Sequence, residues 1–85
     1  MATTTYVITD PEGIHARPAG LLFKEAKKFE SNISVFKGAR KGDLKKIFTI
    51  MALGVKQGET IKVQVEGADE EQAASAVEAF LKENF

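Results

Sequence analysis

Ile61, Val63 and Val65 alternate without a break with Thr60, Lys62, Gln64 and Glu66. A strict two-residue period of this kind predicts a strand with one apolar face and one wet face. A chain that contains it must build a sheet covered on one side and open to water on the other. The cover is supplied by two stretches with helical spacing. Ala16, Ala19, Leu22, Phe23, Ala26 and Phe29 form the first apolar stripe, and Ala73, Ala76, Val77, Phe80 and Leu81 form the second. Both follow the i, i+3, i+4, i+7 rule of an amphipathic helix.

The remaining elements fall between these. Thr3 to Thr9 reads as a first strand, with Tyr6 and Ile8 on one face, and ends in the turn Asp10-Pro11-Glu12-Gly13. Pro18 suits a helical first turn, where a missing N–H is harmless, so the first helix is expected to start near His15 or Ala16. Asn32 to Lys37 alternates around Ile33 and Val35. The glycine-bounded segment 38–42 predicts a turn into a short strand around Asp43 and Leu44. Ile47, Ile50, Met51 and Leu53 give one or two helical turns before Gly54. In the last helix Asp69 is expected to cap and Gln72 to close a capping box, with the acidic residues facing the positive helix end. The order is β-α-β-β-α-β-α and the class is α+β.

At 85 residues there is room for one domain, spanning 1–85, and one core. Chemistry is then expected on the surface and not in a large cavity. Cysteine is absent, which removes disulfides and thiol catalysis, and a single histidine removes a histidine-rich zinc site. No metal or other cofactor is expected. Met1 to Asp10 lacks a basic start followed by an apolar run, and no segment is apolar for the ~18 residues that a span needs, so a soluble, cytoplasmic protein without membrane insertion is expected; a monomer is expected as well.

Twelve basic and twelve acidic side chains cancel, which gives the molecule no general affinity for nucleic acid. Their placement is uneven. Arg17 to Lys56 holds ten basic and three acidic residues, whereas Gln57 to Phe85 holds two basic and seven acidic. A one-sided basic surface favours an acidic protein partner.

His15 stands between a glycine-bearing turn and a helix start, where the first backbone N–H groups lack intrahelical acceptors. A phosphoryl group on its ring would meet the amides of Ala16 and Arg17, with the helix dipole adding about 0.3–1 kcal/mol. The Arg17 guanidinium matches phosphate oxygens in shape. The neutral imidazole is the nucleophile, and the positive surroundings that disfavour the imidazolium stabilise the anionic product. By spacing alone, a lone histidine before a helix is more often a cap or a surface residue, and Arg17 alone more often a solvated charge.

The segment Gly13-Ile14-His15-Ala16-Arg17-Pro18-Ala19 resembles the active-site signature of the HPr family, the histidine-containing phosphocarriers of the bacterial sugar phosphotransferase system. Leu44-Lys45-Lys46-Ile47-Phe48 with Met51-Ala52-Leu53-Gly54-Val55 is similar to the family's second helix. Gly67-Ala68-Asp69-Glu70 is similar to the start of its third. The resemblance implies an open-faced β-sandwich, a four-stranded antiparallel sheet with three helices on one face. It further implies that His15 accepts phosphate at Nδ1 from enzyme I and donates it to IIA domains of sugar permeases, with Arg17 neutralising the group. On this view the protein is a stoichiometric carrier and not an enzyme.

The family docks through its first two helices, which implies contacts from Gly20, Ile47, Phe48 and Met51. Taken by position, Ile47 and Ile50 are expected to lean into the core, and one of Ile47 and Phe48, about 100° apart around the helix, to protrude; the resemblance makes Phe48 and Met51 the better candidates for exposed contacts. Arg17, Lys24, Lys27, Lys45 and Lys46 are placed to form a basic rim, although a charge run is usually a solvated face. Such a rim speeds association more than it raises affinity. Lys46 stands where many family members carry a serine modified by a regulatory kinase, so the resemblance does not extend that branch to this chain. A regulatory module of the same fold that carries no phosphate is the competing reading, and retention of His15 with Arg17 weighs against it.

Overall fold

The computed structural model describes all 85 residues. Four strands form one antiparallel sheet: β1 (Ala2–Val7), β2 (Asn32–Lys37), β3 (Arg40–Asp43) and β4 (Thr60–Glu66), in spatial order β1-β4-β2-β3. Helices α1 (Ala16–Ala26), α2 (Ile47–Ala52) and α3 (Glu70–Asn84) complete the expected element order. No helix is long and apolar enough to cross a membrane.

The strand periodicity sets the register. Val63 of β4 faces Thr4 of β1 and Val35 of β2, so the aliphatic rows of the central strands stack on one side. Ile33, Val35, Ile61, Val63 and Val65 are buried there with Leu22 and Ala26 of α1, Ile50 of α2, and Val77 and Leu81 of α3. Thr3, Thr5, Lys62, Gln64 and Ser34 occupy the alternate positions on the open face. Burying a Leu or Val of this kind stabilises the fold by about 1.5–3 kcal/mol each.

Three local expectations need correction. The apolar stripe of α1 runs to Phe29, but the helix ends at Ala26: the amides of Lys28 and Phe29 donate to Glu25 O and Ala26 O, and these tighter i→i−3 bonds close the last turn. Phe29 still packs on the core from the turn. The β2–β3 connection is shorter than predicted, because Lys37 already pairs with Arg40 and leaves only Gly38 and Ala39 in the loop.

The third correction concerns Asp69. It sits at the N-cap of α3 but makes no side-chain cap, and no capping box with Gln72 forms. Its carboxylate instead accepts from the Glu30 amide at 2.9 Å, from the Ser31 amide at 2.9 Å and from the Ser31 hydroxyl. These bonds tie α3 to the α1–β2 junction. The Ser31 hydroxyl, then the Glu30 amide, hold the Asp69 carboxyl below its ordinary value, against desolvation. A depressed native carboxyl binds its proton less readily than the unfolded one. The stabilisation is therefore complete at neutral pH and is lost as pH falls through the native value. Thermal melts of the wild type should hold steady near neutrality and fall below about pH 4, with a shallower acid decline in Asp69→Asn.

Candidate functional site

The turn before α1 is built by contacts from two distant segments. Gly13 has φ +68°, a left-handed conformation that L side chains rarely adopt. A Cβ there would stand 2.2 Å from Val55 O and 2.8 Å from Lys56 Cα. The Ile14 amide donates to the same Val55 oxygen at 3.0 Å, and Ile14 is buried. On the other side, the Asp10 amide and the Thr9 hydroxyl donate to Phe85 O at 2.9 and 2.8 Å. The turn is thus clamped between the α2–β4 loop and the end of α3.

His15 follows as the N-cap residue of α1, in an extended conformation at φ −119° and ψ 171°. Its carbonyl accepts the Ala19 amide at 3.0 Å, the first bond of the helix, while its side chain makes no cap. The ring is one-third exposed. The residue that carries it heads a helix whose leading amides, those of Ala16 and Arg17, have no intrahelical acceptor. Ala16 and Arg17 are exposed, and Pro18 lies in the first turn with no donor to satisfy.

Two carboxylates accompany the ring. Glu12 Oε2 lies 3.4 Å and Asp10 Oδ2 3.7 Å from His15 Nε2. In sequence both residues read only as part of the turn, so the ring's surroundings are not the purely positive ones expected from the helix start and Arg17. The three-residue spacing of Glu12 and His15 was the one available hint, and it means little without the geometry of Gly13. One polar side-chain atom from each of Asp10, Glu12 and His15 lies within 4.8 Å of the other two.

The residues predicted to dock divide into two groups. Phe48 is 85% exposed and Met51 and Leu21 are also exposed, whereas Ile47 is half-buried against the core and Ile50 is buried. Leu21 carries no sequence signal of its own, because it lies next to the buried Leu22. Gly20 faces α2, where an added Cβ would meet only Ile47 Cδ1 at 3.9 Å, an ordinary contact. Internal packing therefore does not require a glycine there.

Among the basic residues, Arg17, Lys24, Lys27 and Lys46 are exposed. Lys27 Nζ also lies 5.3 Å from the Phe23 ring centroid. Lys45 is held inward, donating through Nζ to Phe29 O at 2.7 Å. Arg40 and Lys37 likewise donate to Ala52 O and Gly54 O at 2.7 and 3.1 Å, satisfying the carbonyl end of α2. Part of the basic excess thus serves the fold.

The chain matches the family model described as PTS HPr component phosphorylation site over residues 2–83. It is 46% identical over 77 residues to the phosphocarrier protein HPr of Mycoplasma capricolum subsp. capricolum, covering 91% of this chain and 86% of that one. Among solved structures it is similar to a mycoplasma histidine-containing phosphocarrier protein, with a TM-score of 0.93 and 41% identity, over 96% of this chain and 93% of the other. A second, HPr from Thermoanaerobacter tengcongensis, gives a TM-score of 0.92 at 43% identity over 96% and 92% of the two chains.

Proposed function

The chain belongs to the HPr family, the phosphocarriers of the phosphotransferase system, and on that premise we propose that His15 takes a phosphoryl group from enzyme I and passes it to IIA domains of sugar permeases. The observation that carries this assignment is a partly exposed imidazole on the N-cap residue of α1, the residue just before amides with free donor capacity. Arg17 contributes the guanidinium that neutralises the transferred group. Phosphoryl transfer asks mainly for position and charge stabilisation, so a small surface site suffices when the partner supplies the other half. On this reading the protein is a stoichiometric carrier working in the cytoplasm, and not an enzyme in its own right.

Docking falls to the faces of α1 and α2, where Phe48, Met51 and Gly20 offer an apolar, close-fitting centre. Arg17, Lys24, Lys27 and Lys46 form the basic rim. Lys45 and Ile47 contribute less than their positions suggest, because each is engaged with the fold. Lys46 lacks the hydroxyl that serine-type regulation needs, so the histidine route operates without that control.

Incubation with enzyme I and phosphoenolpyruvate tests the assignment. The intact protein is expected to gain the mass of one phosphoryl group, in an acid-labile and base-stable linkage, and His15→Ala to gain none. Failure of the folded wild type to label would overturn it.

A further inference from the structure

Asp10 is immobilised from three directions. Its amide donates to Phe85 O at 2.9 Å, its carbonyl accepts the Gly13 amide at 2.9 Å, and its Oδ1 accepts the Glu12 amide at 2.8 Å. The remaining oxygen, Oδ2, is aimed at His15 Nε2, and Glu12 Oε2 approaches the same nitrogen. Both carboxylates thus address one ring nitrogen.

Given His15 as the phosphoryl acceptor, we propose that Asp10 and Glu12 are positioning residues that keep a proton on Nε2 and so reserve the Nδ1 lone pair for phosphorus. A neutral imidazole carries a single N–H, and an ionised carboxylate can only accept. Two carboxylates beside Nε2 therefore select the tautomer protonated there. At 3.4 and 3.7 Å the contacts are electrostatic and longer than good hydrogen bonds. Glu12, with a side chain 73% exposed, has the freedom to close the gap when a partner docks.

The same pair serves both directions of transfer. In loading, the Nδ1 lone pair attacks phosphorus, the bond from phosphorus to the donor atom breaks, and its electron pair leaves with the donor. The ring becomes an N-phosphoimidazolium with its proton still on Nε2. Its positive charge then faces the two carboxylates. In unloading, a lone pair of the acceptor attacks phosphorus, the N–P bond breaks and its electrons return to Nδ1. The ring is neutral again, and His15 has neither gained nor lost a proton.

Asp10→Asn separates tautomer selection from turn structure. Asparagine Oδ1 can still accept the Glu12 amide, while its NH₂ group points a donor at Nε2 and favours the opposite tautomer. ¹⁵N spectra of the ring at a pH where it is neutral are expected to show Nε2–H in the wild type, a shift towards Nδ1–H in Asp10→Asn, and a smaller shift in Glu12→Gln. The rate of labelling by enzyme I and phosphoenolpyruvate should fall about a hundredfold in Asp10→Asn. That is less than the roughly 10⁴-fold loss when a buried tautomer-fixing carboxylate is neutralised, since water reaches this ring. Glu12→Gln, at an exposed position that leaves the fold intact, should lose several-fold. Rates within twofold of wild type in both variants overturn the inference, as does slowing with unmoved ring ¹⁵N shifts. A wild type that fails to label overturns the carrier assignment instead.

Discussion

Gly13→Ala is expected to destabilise the protein by about 2–5 kcal/mol, the sum of left-handed backbone strain and forced overpacking. The strain alone is worth roughly 1–2 kcal/mol. The larger part comes from a Cβ 2.2 Å from Val55 O, because the neighbour is backbone that already accepts the Ile14 amide and cannot retreat cheaply. Gly54→Ala supplies the control. Gly54 has φ +62° but no atom within 4 Å of an added Cβ, so it should lose only about 1 kcal/mol. Urea denaturation of both variants checks the difference; equal losses would mean that the turn does not press on the α2–β4 loop. Against a total stability of about 4–13 kcal/mol for a chain of this size, the Gly13 variant would sit near the edge of folding.

Phe85→Ala should lower stability by about 3–5 kcal/mol, while Phe48→Ala should change it by no more than about 0.5 kcal/mol. The two phenylalanines differ only in environment: Phe85 is 3% exposed within the core, and Phe48 stands almost wholly in solvent. Removing the buried ring deletes apolar surface and leaves a cavity under the end of α3. It also loosens the carbonyl that receives the Asp10 amide and the Thr9 hydroxyl. Phe48→Ala should instead weaken association with enzyme I, raising the concentration of carrier needed for half-maximal labelling. Comparable stability losses in the two variants would contradict the assigned burial.

The sheet was legible because its central strand repeats every two residues, and the helices because their apolar positions repeat on one face. His15 at the head of α1 was legible too, since Gly13 and Pro18 bracket a helix start. The carboxylates beside its ring were not. Their placement depends on a left-handed glycine pressed against Val55 and on Phe85, some seventy residues away, and neither leaves a local pattern. Asp69 shows the same limit. Its spacing suits a helix cap, yet Ser31 and Glu30 take its carboxylate across thirty-eight residues of chain or more. Local propensity cannot weigh such a competitor. The tether of Lys45's ammonium to Phe29 O was hidden for the same reason, because a lysine in a basic run looks like any other.

The hold of Phe85 on Thr9 and Asp10 couples the turn before His15 to the far end of α3. Fraying of the last turn of that helix releases the donors that the Phe85 carbonyl oxygen receives, so local opening there spreads to the imidazole's approach and is expected to speed amide exchange in both places together.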